Sequence, residues 1–121
     1  MLTPSAPSCL ALLAGIAAPG ALDAGAFACR FDVVCIEGSM CVDTDRDARL
    51  EARTPPAAVL HLETGSLGGD LRALGLTRLF DGAAEGLRLL LGIAADGRAR
   101  LMAMETDPLR IAVYLGSCEE L

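Results

Sequence analysis

Cysteine is the residue type whose spacing says most about this chain of 121 residues. Cys29, Cys35 and Cys41 are separated by five residues each, and Cys118 lies close to the C-terminus. Structural zinc pairs have roughly two to four intervening residues and thiol oxidoreductases use Cys-x-x-Cys, so neither metal nor redox chemistry suits this spacing. Four cysteines in a small exported domain are typical of a disulfide framework.

The pairing of these cysteines is partly restricted by geometry. If residues 31–35 form a strand, Cys29 and Cys35 lie about 20 Å apart, whereas a disulfide tolerates a Cα separation of about 7 Å. The segment between Cys35 and Cys41 contains a glycine that can turn the chain back. We therefore predict disulfides Cys35–Cys41 and Cys29–Cys118. The pairing of Cys29 with Cys41 and of Cys35 with Cys118 stays open.

His61 is the only histidine and therefore the only imidazole that could act as a general base. A serine hydrolase would need it beside Ser39, Ser66 or Ser117, yet His61 falls in the middle of a predicted strand. We expect an exposed strand residue rather than a catalytic base. Because no catalytic set converges, the sequence predicts that the protein is not an enzyme.

Asp43, Asp45 and Asp47 resemble the opening of a calcium-binding loop. An EF-hand loop begun at Asp43 needs glycine at its sixth position and glutamate at its twelfth, but Ala48 and Thr54 stand there. We expect a solvated acidic segment leading into a strand, and neither a metal nor another cofactor.

Two further patterns have weak chemical meaning. Glu63, Glu85 and Glu105 could supply a glycosidase carboxylate pair, but isolated acids at strand edges are usually surface residues. Residues 65–69 are rich in glycine but lack the lysine of a phosphate loop, so they are predicted to form a turn.

The elements that position these residues are predicted to be β-strands. Apolar and polar residues alternate with a period of two, and turn signals recur about every 8–12 residues, which predicts an all-β antiparallel meander closed as a barrel or folded as a sandwich. A Cys29–Cys118 bridge would join the first and last strands and favours the barrel. Residues 70–80 fit one bent strand or two short ones. The other runs fall at residues 48–52, 58–62, 87–93, 98–104 and 109–115.

The first 28 residues are predicted to be a signal peptide. An apolar core at residues 9–18 is followed by Pro19-Gly20, and Ala26-Phe27-Ala28 has the small-x-small pattern that signal peptidase needs. Cleavage between Ala28 and Cys29 leaves a single domain, residues 29–121, in the periplasm or outside the cell. No Lys or Arg precedes the apolar core, which departs from the usual signal.

Membrane attachment is expected only if the leader is retained or Cys29 is lipidated. The apolar run is shorter than the roughly 18 to 20 residues that span a bilayer. Lipoprotein signals usually carry Leu three residues before the cysteine and a small residue two before, and here Ala26 and Phe27 occupy those positions.

The charge of the chain bears on its partners. Sixteen acidic residues outnumber ten arginines, for a net charge of −6, and aromatic residues make up 3%. Nucleic acid is excluded because its binding needs clustered positive charge and stacking aromatics. A basic protein or a cation suits this charge better. The absence of Lys and Asn fits a GC-rich bacterial genome.

The ends of the predicted domain carry a wider pattern. Cys-x-Phe-x3-Cys-x5-Cys from Cys29 to Cys41, with Tyr-x-Gly-x-Cys-Glu from Tyr114 to Glu119, resembles a group of small exported bacterial proteins of unknown function. The resemblance implies export and disulfide pairing. The expected architecture is also remotely similar to the periplasmic inhibitors of C-type lysozyme, barrels whose first and last strands are joined by a disulfide. Their Ser-Gly-x-x-Tyr loop has no match, since Ser66 is followed by Leu67.

Together these features predict a non-enzymatic exported module that binds an unknown protein or small ligand in the cell envelope, an inhibitor being one form of it. The alternatives are a periplasmic hydrolase using surface carboxylates and a purely structural envelope protein or lipoprotein. A barrel cavity of several hundred Å³ would indicate a small apolar ligand. A filled core with one projecting loop would indicate a protein partner.

Overall fold

The computed structural model describes residues 25–37 and 40–121. In this part of the chain eight strands follow one another, each antiparallel to the next, and the last pairs with the first to close a barrel. The predicted all-β fold is confirmed, and of the two predicted forms, a barrel and a sandwich, the structure has the barrel. The strands are β1 (Gly25–Ile36), β2 (Met40–Thr54), β3 (Ala57–Leu62), β4 (Gly65–Leu74), β5 (Thr77–Ala84), β6 (Leu87–Ile93), β7 (Arg98–Thr106) and β8 (Leu109–Glu120).

The interior of the barrel is packed with apolar side chains. Because side chains alternate between the two faces of a strand, every second residue of β2, β3 and β6 points inward. Among the described residues no polar or charged residue is buried. The largest side chains that are almost completely buried are Phe31, Phe80, Leu50, Leu60 and Leu91.

Both predicted disulfides are present. Cys29 lies directly opposite Cys118 in the β1–β8 ladder, and Cys35 lies directly opposite Cys41 in the β1–β2 ladder. The alternative pairing that the sequence left open is not formed. The first bridge therefore ties together the two strands whose pairing closes the barrel.

The glycine-rich residues 65–69 are not the predicted turn. The chain turns at Glu63-Thr64, and the glycines begin β4. Gly69 pairs with Gly82 of β5, and a Cβ atom on Gly69 would collide with the backbone carbonyl oxygen of Asp81. Glycine is needed here for close approach of two strands, which a turn signal cannot distinguish from a true turn.

Residues 70–80 have the second of the two predicted forms, since they belong to two strands, β4 and β5, separated by a turn at Gly75-Leu76. Another boundary differs from the prediction. Strand β2 begins at Met40, so Asp43–Asp47 is part of the strand and not an approach to it. The register of β1 against β2 shifts between Phe31 and Val33, which interrupts the alternation that would reveal the strand.

The predicted apolar core of the signal peptide, residues 9–18, lies outside the described residues, as does the glycine predicted to turn the chain between Cys35 and Cys41. Residues 25–28, the last four of the predicted leader, are described and form the beginning of β1. The chain turns at Pro55-Pro56 between β2 and β3 and at Asp107-Pro108 between β7 and β8.

The two disulfides are expected to differ in their contribution to stability. Cys29 and Cys118 are 89 residues apart in sequence, whereas Cys35 and Cys41 are six apart. Loop entropy predicts that replacing Cys29 and Cys118 by alanine lowers the free energy of unfolding by about 4 to 5 kcal/mol, against about 2 kcal/mol for Cys35 and Cys41. Urea unfolding of the two double variants measures this difference. Equal losses would contradict the account of the long bridge as the closure of the barrel.

Candidate functional site

One end of the barrel is open and forms a mouth. Its cavity has a volume of about 220 Å³. Inward-facing apolar side chains of several strands form the floor, and charged residues of β2, β7 and the β3–β4 turn form the rim. The floor includes Phe31, Leu62, Leu87, Leu101, Ala103 and Tyr114, and the rim includes Arg46, Glu63 and Glu105.

The wall of the mouth where β1 meets β8 is aromatic. The rings of Phe31 and Tyr114 lie edge to face, with centroids 6.2 Å apart and an interplanar angle of 63°. Such pairs are favourable because the positive ring edge meets the negative ring face. Phe31 is 1% exposed and fixes the position of the half-buried Tyr114 beside the cavity.

Strand β2 extends beyond its neighbour β3 at this end. The β2–β3 ladder begins at Ala48, so Met40–Asp47, which we call the overhang, has β1 as its one strand neighbour in the described part of the chain. Its second edge presents backbone amide and carbonyl groups without a ladder partner. Asp43, Asp45 and Asp47 all lie on this segment. Charged residues on a free edge hinder pairing with another copy of the same strand.

The overhang and the end of β1 carry an apolar face that continues the inner wall of the barrel. Val34 pairs with both Val42 and Tyr114, and Ile36 pairs with Met40, so these side chains share the face of the tyrosine. Ile36 is 48% exposed, Met40 63% and Val42 47%. Ordinary surfaces expose apolar residues singly, whereas a group of them beside a cavity is typical of a contact site.

The mouth end is also the acidic end of the barrel. Strands of an up-and-down barrel alternate in direction, so every second turn lies at the same end, and each turn described at the mouth contributes an acid. These acids are Glu37, Glu63, Glu85 and Asp107. The opposite end carries charges of both signs, because Asp96, Glu119 and Glu120 lie there together with several arginines. These arginines are Arg53, Arg72, Arg78, Arg98 and Arg100. The resulting field attracts positive charge to the mouth.

Glu63, Glu85 and Glu105, which the sequence predicts to be isolated, lie at the same end of the barrel. Glu63 and Glu105 share the rim of the mouth, and Glu85 lies in the neighbouring turn. Arg46 lies 3.9 Å from Glu63, and Arg30 binds Asp45 with a nitrogen to oxygen distance of 2.7 Å. Among the described residues no three His, Cys, Asp or Glu side chains are placed to hold a metal ion.

His61 does lie beside Ser66, contrary to the prediction from sequence. Its Nδ1 is 2.7 Å from Ser66 Oγ, and its Nε2 is 2.7 Å from Glu51 Oε1. A carboxylate accepts hydrogen bonds, so Nε2–H donates to Glu51 and, in the neutral ring, Nδ1 accepts from the serine hydroxyl. The contact could have been predicted from a turn at Glu63-Thr64, because a two-residue turn makes positions 61 and 66 direct neighbours.

These three side chains have the order of a nucleophile, a base and a carboxylate, with the two ring nitrogens exchanged relative to the usual hydrolase triad. They lie on the outer wall of the barrel beside a shallow depression of about 530 Å³ over Val59 and Gly68. The His61 side chain is 39% exposed, so water reaches the array freely. Stabilisation of an oxyanion needs donors in a site that excludes water. The hydrogen bonds join β2, β3 and β4 on the outer wall of the barrel.

The hydrogen bond with His61 changes the acidity of Glu51. The hydrogen bond from His61 lowers the pKa of its carboxyl below the ordinary value of 4.5, and the charges of Arg53 and Arg49 act in the same direction, while partial burial opposes them. Both arginines lie on the same strand as Glu51, with Arg49 Nη2 at 3.7 Å from Glu51 Oε2 and Arg53 Nη2 at 3.9 Å from Glu51 Oε1.

The lowered pKa of Glu51 predicts a pH dependence of stability. A carboxyl whose pKa is depressed by folding stabilises the fold above its unfolded pKa, and this contribution is lost as pH falls through the folded pKa. Glu51→Gln is expected to lower the Tm at neutral pH, and the difference from the wild type is expected to shrink in acid below pH 4.5. Thermal unfolding across this range, with Glu85→Gln as the control, measures it. A difference that is constant with pH would contradict the assignment.

The described residues contain no helix with the length and apolarity needed to cross a lipid bilayer. Comparisons with known proteins return no match to a family model, a curated protein or a solved structure. The two resemblances noted from the cysteine pattern and from the barrel architecture therefore stay predictions.

Proposed function

We propose that this protein is an exported, non-enzymatic binding module that takes an extended, basic segment of a partner protein at the mouth end of the barrel. The observation that carries the proposal is the overhang, Met40–Asp47, a strand segment with one free edge, an exposed apolar face and three aspartates. The occupant is a protein segment because the barrel core is filled and β2 runs past the end of β3.

The free edge supports recognition by strand addition. Backbone groups on an unpaired edge can be satisfied by an extended segment of another chain, which then becomes an additional strand of the sheet. The β2–β3 ladder ends at Ala48, so the overhang offers eight residues, Met40–Asp47, for this pairing. Strand addition gives affinity through the backbone and leaves the choice of partner to the side chains.

The apolar face supports recognition of every second side chain of such a segment. Every second side chain of the added strand would lie beside Met40 and Val42, on the same face of the sheet as Tyr114 and the cavity. The cavity of about 220 Å³ is smaller than the roughly 300 to 1,000 Å³ that encloses most small ligands. A side chain of the partner fits this volume better than a free apolar ligand does.

The charges support a basic partner. The turns at the mouth add Glu63, Glu85 and Asp107 to the aspartates of the overhang. Complementary charge raises the association rate and excludes wrong partners. Two copies of the overhang would bring like charges together, which disfavours self-association through this edge.

Export is supported by the covalent framework. Disulfides persist in oxidising compartments and are rare in the cytosol, so two bridges within a domain of this size favour the periplasm or the exterior. A sulfur atom of Cys29 that is bonded to Cys118 cannot also carry a thioether to lipid. A lipoprotein is therefore an alternative to the disulfide-bonded chain and cannot coexist with it.

The proposed surface can be tested with matched variants. Ile36→Ser with Met40→Ser removes apolar area at the mouth without changing charge, and Leu76→Ser does so at the opposite end, where Leu76 is 80% exposed. A partner is first recovered from envelope extracts on the wild-type protein. The Ile36→Ser, Met40→Ser protein, called the hairpin variant, is expected to bind this partner at least about tenfold more weakly, since burying an apolar side chain is worth roughly 1.5–3 kcal/mol. Titration of the purified partner measures the Kd.

The control variant Leu76→Ser is expected to bind as the wild type does, and raising the salt concentration is expected to weaken binding by screening the acids. A partner that binds the wild type and the hairpin variant equally would contradict the proposed surface. A partner with a neutral or acidic binding segment would contradict the role of the charges.

A further inference from the structure

The beginning of β1 contains a core residue that the predicted signal cleavage would remove. Phe27 is 8% exposed and belongs to the same buried cluster as Phe31 and Phe80. The guanidinium carbon of Arg78 lies 5.3 Å from the centroid of the Phe27 ring, in the geometry of a cation–π contact. Phe27 therefore packs as a member of the folded domain.

Strand pairing continues through the same residues. Phe27 pairs with Leu50 of β2 and with Glu120 of β8, and Ala28 pairs with Arg49 and Glu119. Both edges of this part of β1 are thus engaged, on either side of the closure of the barrel. A chain that began at Phe27 would lose only the pairs of Gly25 with Ala52 and of Ala26 with Glu51. A chain that began at Cys29 would also lose the pairs of Phe27 and Ala28 and leave the place of an aromatic ring in the core unfilled.

We propose that signal peptidase cuts this chain between Ala26 and Phe27, so that the exported protein begins with Phe27. Ala24-Gly25-Ala26 has the same small-x-small pattern as Ala26-Phe27-Ala28, so both peptide bonds are acceptable by sequence. Water adds across the Ala26–Phe27 amide, leaving a carboxylate on Ala26 and an amine on Phe27. The inference rests on export, which is one part of the proposed function.

Cleavage precedes folding, so the barrel does not direct the peptidase. The structure instead indicates which product can complete the core, because removal of a buried phenylalanine side chain leaves a cavity and loses its burial. The inferred cut has a chemical consequence for Cys29. It becomes the third residue of the exported chain and is no longer at the position that bacterial lipidation requires, which leaves its sulfur free to bond with Cys118.

The N-terminus of the exported protein tests this inference directly. The full chain is expressed with its leader in a bacterial host, and the intact mass and N-terminal peptide are measured for the periplasmic fraction. A chain that begins at Phe27 and is four hydrogen atoms lighter than its reduced form is expected. A start at Cys29 or an added acyl mass overturns the inference but leaves the binding surface untouched, since that surface lies at the other end of the barrel. An uncleaved chain in the cytoplasm overturns export itself.

A second measurement separates folding from peptidase preference. Oxidised chains that begin at Phe27 and at Cys29 are refolded, and a Phe27→Ala variant of the longer chain serves as a matched control. The chain from Cys29 and the alanine variant are both expected to show a Tm lower by at least about 10 °C, because loss of a buried phenylalanine is a large perturbation of a small domain. Equal Tm values for the two chain lengths would overturn the inference.

Discussion

The pairing of β1 with β8, held by the bond between Cys29 and Cys118, is the constraint on which the rest of the structure depends. Closure removes the two free edges that an open eight-stranded meander would expose. It also brings Phe31 against Tyr114, two of the four aromatic residues in the chain, and so forms one wall of the mouth. Because few large side chains are available to fill the interior, a covalent link across the closing ladder compensates for a small core.

The barrel is closed along its whole circumference but its strands are unequal in length. β1 and β2 run past the end of β3, and this excess leaves the overhang with a free edge and an apolar face. The second disulfide, Cys35–Cys41, ties the overhang to β1, its one strand neighbour in the described part of the chain, and β1 is itself paired with β8 as far as Ile36. A rigid hairpin presents its edge at lower entropic cost than a mobile loop would. In the function that we propose, the acids in the turns at the same end favour a positively charged partner.

Strands were predictable where one face is buried and the other is wet. Residues 48–52 are one such run, in which Ala48, Leu50 and Ala52 are buried. Prediction was wrong at Asp43–Asp47, because no side chain of the overhang is buried and its aspartates therefore resemble a solvated segment. It was also wrong at residues 65–69, because glycine serves close strand approach there. The contact of His61 with Ser66 depends on the turn at Glu63-Thr64, and it was missed because the turn was predicted at residues 65–69 instead. The apolar mouth depends on which strand ends are longer, a property of register that local patterns do not contain.

The closure of the barrel is tested most directly by mapping the disulfides of the oxidised protein after tryptic digestion without reduction. Trypsin cleaves after arginine, so Cys29 is separated from Cys35 and Cys41 at Arg30, and Cys118 lies in the fragment that follows Arg110. The account predicts that the fragment beginning at Phe31 carries an internal disulfide and is free of other peptides, while the fragment ending at Arg30 is linked to the C-terminal one. A single species in which all three fragments are linked would contradict it, since both other pairings of the four cysteines produce that species.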